Sequence, residues 1–279
     1  GYQWNDGVPY NWVDGVSGGT RLTLGDDDSA GPFNIGFNFK FYGMTYSQIY
    51  VGSNGIITFD YGHPWFDQYL PSSWAPNNDL HVFGYDLMPT GGSNGDVYLK
   101  SVTLGGRHAY VVTWNNVGEF GSPYHHTFQA ILYEDGVIRM QYKSIQGGRN
   151  PIIGIEDKYG STGTVYPHAP TNGKAVEFGL GPDLVVDDIR YSSVSGDLWI
   201  GEEMTYYADV RNVEGIPVYN VNVAFYIDGT QIGVGTIPLL NSGQTGTASI
   251  TYRFMGSAGS HTIRAYADHD DRIMESREG

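Results

Sequence analysis

Pro32-Phe33-Asn34-Ile35-Gly36-Phe37-Asn38-Phe39-Lys40-Phe41-Tyr42-Gly43 places an apolar side chain at every odd position from 33 to 41, with small or polar residues between them. A period of two is that of a β-strand with one buried face. Working outward, residues 48–51 read as the next strand, and Ser53-Asn54-Gly55 is a tight-turn signal leading into Ile56-Ile57-Thr58-Phe59. Further strands are expected at residues 96–103, 108–115, 126–133, 137–142, 152–157 and 175–178. Glu134-Asp135-Gly136 joins two of them as a hairpin, because an Asp-Gly pair tolerates the positive φ values such turns require.

Composition agrees. Of 279 residues 40 are Gly and 22 are Tyr, while charged residues make up only 16%, too few for helices that must coat their outer faces with Lys and Glu. Gly serves turns and Tyr suits a half-buried pleated surface. The formal charge of −15, from 30 acidic and 15 basic residues, disfavours nucleic acid and anionic membranes as partners. There is no Cys, so disulfides, thiolate metal sites and a Cys nucleophile are excluded. Many secreted microbial proteins do without disulfides. No run of about 18 apolar residues forms a membrane-spanning helix. A chain that opens at Gly1 without Met or a signal peptide has the start expected of a processed, exported or excised chain.

Gly179-Leu180-Gly181-Pro182 interrupts the strand pattern and reads as a linker. Short strands then recur at residues 184–191, 204–212, 221–227, 231–237, 247–254 and 261–267, roughly the 8–12-residue spacing of a sandwich. The expectation is an all-β chain of two β-sandwich modules, residues 1–180 with an N-terminal extension and residues 181–279. No amphipathic helix is readable.

The second module carries Pro182-Asp183-Leu184-Val185-Val186-Asp187-Asp188-Ile189, then Val210-Arg211-Asn212, then Val221-x-Val223-x-Phe225-Tyr226-x-Asp228-Gly229-x-x-Ile232-Gly233. It continues in Ile237-x-x-Leu240-x-x-Gly243, Gly259-x-His261-Thr262-Ile263 and Asp268-x-Asp270-x-x-Ile273-x-Glu275-Ser276-x-Glu278. This resembles the CARDB module, a cell-adhesion-related domain of bacterial and archaeal surface proteins. The resemblance implies an immunoglobulin-like sandwich without catalytic residues. The family pattern runs on past the final Glu into a pair of Asn, where this chain has Gly279. The first module, through Phe37-x-Phe39-x-Phe41-Tyr42-Gly43, Ser53-Asn54-Gly55-x-Ile57-x-Phe59, Leu70-Pro71 and Val112-x-Trp114-x-Asn116-Val117, resembles a β-sandwich module of microbial secreted and surface proteins. That resemblance supplies no active site. Where its pattern has paired Asp before Leu, this chain has Tyr85-Asp86-Leu87.

Candidate chemistry is sparse. His-Glu-x-x-His, Gly-x-Ser-x-Gly and Walker patterns do not occur. A glycosidase pair is defined by carboxylates roughly 5–9.5 Å apart, which sequence does not reveal. Asp26, Asp27 and Asp28 offer oxygen ligands for calcium, or else form a solvated turn bonded to nearby amides. The irregular stretch 61–79 sets Tyr61, Trp65, Phe66, Tyr69 and Trp74 among three prolines, and loops of that length cover something or bind something. Folding back over an open end of the sandwich avoids exposing several large rings. Standing outward, the same rings would bind a glycan or a surface protein.

One short repeat stands out: Tyr2-x-Trp4-x-Asp6-Gly7 returns as Tyr10-x-Trp12-x-Asp14-Gly15. Its first copy precedes the recognisable module. Residues 1–10 are therefore expected to dock as an added strand on a second copy, with Tyr2 and Trp4 as anchors, giving a homopolymer; the alternative is an ordinary first strand of its own module. The functional expectation is a secreted, non-enzymatic structural or adhesive protein of an archaeon or bacterium, such as a filament or surface-layer subunit. The alternative is a carbohydrate- or protein-binding accessory module of a larger secreted enzyme.

Overall fold

The computed structural model describes residues 1–193, 200–273 and 275, so Ser276 and Glu278 of the C-terminal pattern lie outside the described residues. The chain divides into two compact units, Tyr2–Gly179 and Leu180–Gly279, the first of which includes nothing of Gly1. Secondary structure among the described residues is β throughout, apart from one 3-10 turn at Gly92–Asn94.

The first unit contains β1 (Tyr2–Asn5), β2 (Thr20–Leu22), β3 (Ser29–Phe41), β4 (Met44–Gly52), β5 (Ile56–Thr58), β6 (Asp79–Gly84) and β7 (Leu87–Met88). It continues with β8 (Asp96–Leu104), β9 (Arg107–Glu119), β10 (His125–Tyr133), β11 (Ile138–Ser144), β12 (Ile152–Glu156), β13 (Gly163–Val165) and β14 (Lys174–Leu180). One sheet runs β1-β14-β11-β10-β9-β8-β2, with β7 also paired to β9; the other runs β13-β12-β6-β5-β4-β3. The alternation in β3 sends Ile35, Phe39 and Phe41 into the core, where Trp114, Phe128 and Tyr142 from the facing sheet meet them. Phe33 and Phe37 are only half-buried, because the pairing of β3 with β4 slips between Asn34 and Phe39. Burying apolar area at about 25 cal/mol per Å² between two such faces is what holds the layers together.

Within the single chain the N-terminal segment is a strand of its own module. Here β1 is the edge strand beside β14 in its own sheet. Tyr2 packs on Phe41 and Tyr42, with ring centroids 5.6 and 4.5 Å away, and Trp4 lies 5.2 Å from Tyr166. The second copy of the repeat does something different from the first. Residues 11–17 cross the outer face of the same sheet, where Asn11 and Gln141 exchange hydrogen bonds of 2.8 and 2.7 Å and Gln129 donates to the Val13 carbonyl at 3.1 Å. Val13 packs on Ala109, Val111 and Ile131. Buried side-chain amides need partners, and this strap supplies both ends of the Gln141 amide and the nitrogen of Gln129. The segment is therefore part of the module.

The second unit contains β15 (Leu184–Ser193), β16 (Glu203–Asn212), β17 (Val218–Ile227), β18 (Thr230–Leu240), β19 (Thr245–Arg253) and β20 (Ile263–Ala267). They form two antiparallel three-stranded sheets, β15-β16-β19 and β18-β17-β20, in an immunoglobulin-like sandwich. Met204, Tyr206, Ala208 and Val210 alternate inward along β16 against Val221, Val223 and Phe225 of β17. Asn212 ends that run fully buried, donating to the carbonyls of Ile216 at 3.0 Å and Leu240 at 3.3 Å. That requirement accounts for the polar residue closing Val210-Arg211-Asn212.

Candidate functional site

Residues 59–78 link β5 to β6 and are tethered from below at several points. Asn54, buried at the turn before β5, donates from Nδ2 to the Pro64 carbonyl and to Asp27 Oδ1, both at 2.8 Å, while its Oδ1 accepts the Leu87 N–H at 2.7 Å. The Thr58 hydroxyl donates to the Tyr61 carbonyl. Farther along, the Ser72 N–H donates to Glu156 Oε2, and the Asn77 amide nitrogen lies 3.0 Å from Glu156 Oε1 and 2.9 Å from the Trp74 carbonyl. Asn78 donates to the Tyr46 hydroxyl at 2.9 Å.

The rings this backbone carries do not fold back. Tyr61 is 48% exposed, Trp65 55%, Tyr69 61% and Trp74 74%. Phe66 alone is half-buried. The expectation of a cover over the sandwich end is thus corrected: the backbone closes that end through hydrogen bonds, leaving the rings outside. A further ring joins the same neighbourhood. Tyr159, 70% exposed with Lys158 Nζ 5.5 Å from its centroid, stands in the turn whose Gly160 lies against the Ser72 carbonyl so closely that a Cβ would collide with it. Sequence reasoning missed Tyr159, although an aromatic between Lys158 and Gly160 in a turn was the available signal.

Beneath the loop lies a group of acids. Burial pushes the Glu156 carboxyl up to about 8, opposed by the Ser72 N–H and reinforced by the charges of Asp79 and Asp67. Burial also raises Asp67. Asp79 and His81 are fully buried, 3.2 Å apart. Their Oδ1 and Nδ1 atoms, with Asp67 Oδ2, have no hydrogen-bond partner among the described residues.

The acidic turn takes a different composition from the one expected. Asp28 is committed to the turn itself, accepting the N–H groups of Gly25 at 3.0 Å and Ser29 at 2.8 Å. In its place Asp86, beyond β6, brings a carboxylate oxygen within 4.8 Å of those of Asp26 and Asp27. Partial burial and the neighbouring acids raise Asp26 and Asp86. Oxygen donors of this kind suit calcium, and three carboxylates could supply part of its shell. Asn54 connects this cluster to the aromatic loop, since it bonds both Asp27 and Pro64.

A family model described as NIDO related matches residues 2–178. The chain belongs to the NIDO-related family. That span holds the aromatic loop, the buried acids and the Asp26, Asp27 and Asp86 cluster, so every candidate group is in the NIDO-related module. A second family model, CARDB, matches residues 181–279, in agreement with the immunoglobulin-like sandwich there. Together the two place the chain among adhesion-type surface modules. No helix among the described residues is long and apolar enough to cross a membrane.

Proposed function

We propose that this chain is an extracellular, non-enzymatic structural and adhesive protein whose contact surface is the aromatic loop of the NIDO-related module. The carrying observation is the combination of exposed Tyr61, Trp65, Tyr69 and Trp74 with a backbone pinned to buried Glu156 and Asn54. Exposed rings on a floppy loop would collapse together, whereas a fixed backbone holds them for a partner without an ordering cost at binding. The accessory-module reading would use the same surface. A homopolymer built by strand addition would need β1 to leave its place beside β14 or another segment to act as donor.

Beads coated with the full chain, tested under flow against isolated prokaryotic cell-envelope fragments and a protein-coated surface, should adhere to at least one. Adhesion should fall at least several-fold with the double variant Trp65→Ala/Trp74→Ala. Retention no better than that of bare beads on both surfaces would sink the adhesive reading.

A further inference from the structure

The loop rings have unspent hydrogen-bonding capacity as well as open faces. In the core, the Trp114 indole N–H donates to the Gly52 carbonyl at 3.2 Å. The indoles of Trp65 and Trp74 donate to no protein acceptor among the described residues, although the backbone N–H groups of both residues are bonded. Among the described residues, Tyr61 lies against His63 within the loop, with centroids 5.9 Å apart. Along the loop, exposed Asp60 precedes Tyr61, Gln68 precedes Tyr69 and Ser73 precedes Trp74, polar groups able to bond hydroxyls.

Open faces interleaved with free donors and acceptors narrow the ligand. An acyl chain or an aliphatic protein surface would cover the rings but strip water from the indole N–H groups and from Asp60 and Gln68 without replacing it, leaving each of those groups desolvated and unpaired. A pyranose meets both demands, since its C–H face lies on an aromatic ring while its equatorial hydroxyls reach outward in the ring plane. Charge excludes one class of sugar. Residues 1–180 carry 16 acidic and 9 basic side chains, and Asp60 and Asp67 lie in the loop itself, so a sulfated or uronic acid polymer would be repelled.

Resting on the adhesive reading above, we infer that the aromatic loop binds a neutral polysaccharide, with pyranose faces on Trp65 and Trp74 and hydroxyls bonded by Asp60 and Gln68. Affinity electrophoresis of the full chain tests this, using gels that contain xylan, mannan, hydroxyethyl cellulose or glycogen, with alginate as the anionic comparison. The chain should be retarded in at least one neutral gel, and Trp65→Ala or Trp74→Ala should weaken that binding by about tenfold or more. Tyr266→Ala, on an exposed ring of the second module, should change nothing. Thermal melts of the variants should match the parent, because both indoles are exposed. Migration unaffected by every neutral gel, retardation that survives both Trp variants, or stronger retardation by alginate would each overturn the inference. If the coated beads still adhere to the protein surface while the neutral gels are silent, the glycan assignment falls and the adhesive function stands; if neither assay responds, both fall.

Discussion

The Glu156 carboxyl, at the end of β12, accepts the backbone N–H of Ser72 from a position 84 residues later in the chain. Both groups are buried, and that contact fixes the height of the aromatic loop above the sheet. A carboxyl in that position titrates abnormally. Its value is raised from 4.5 to about 8, chiefly by burial, so the folded state holds its proton more tightly than the unfolded chain does.

A pH-dependent stability follows from that shift. For an acid whose folded value is raised, the stabilisation is complete below the unfolded value and is lost as pH rises through the folded one. The melting temperature should therefore decline between pH 5 and pH 9. Glu156→Gln keeps an acceptor for Ser72 and removes the proton, so its melting curve should be flatter across that window and higher than the parent by several degrees, on the order of a few kcal/mol at most, at pH 9. Equal slopes for the two proteins would show that Glu156 does not titrate this way.

Gly160 sits at φ +60 with no room for a side chain against Ser72. Gly160→Ala should cost about 2 kcal/mol through backbone strain and collision, measured by urea unfolding, and should also weaken whatever binding the loop performs. Unchanged stability would mean that the 157–161 turn does not press on the loop.

Asp26, Asp27 and Asp86 repel one another where no cation lies between them. Asp86→Asn should raise the melting temperature by about one to three degrees in chelator-containing buffer. Chelation alone should lower that of the parent by no more than about a few degrees, and calcium should have less effect on the variant than on the parent. A collapse of the parent fold in chelator would mean that the cluster is a structural ion site on which the module depends.

Tyr2 is held by Phe41 and Tyr42 of its own module. Tyr2→Ala should destabilise that module by about 2 kcal/mol, with a melting temperature independent of protein concentration. A shift that grows on dilution would instead place the strand on a second copy.

The two units each have a core of their own, Phe39 with Trp114 in one and Tyr206 with Phe225 in the other. Expressed separately, residues 2–179 and 180–279 should each give β-type circular dichroism and a cooperative melt. Two unfolded products would refute a boundary at Leu180.

Local periodicity was enough for much of this. Apolar residues at 35, 39 and 41 face one way because a strand alternates its side chains whatever it pairs with, and Asp135-Gly136 turns because Gly136, at φ +90, is free to. The same reasoning put the module break near Leu180, while the CARDB assignment came from the resemblance of the motifs beyond it, whose Asn212 is explained by its own neighbours. Sequence alone determined the all-β class, the two-module division and the stretch rich in aromatic rings. Only the tertiary structure decided that the rings face outward, that Tyr159 joins them, that Asp86 replaces Asp28 beside Asp26 and Asp27, and that the two copies of the Tyr-x-Trp-x-Asp-Gly repeat become an edge strand and a strap. Those outcomes depend on which segments meet across long separations, as Ser72 meets Glu156 and Asn54 meets Pro64. Such meetings are set by sheet order and register, which alternation along one strand does not encode.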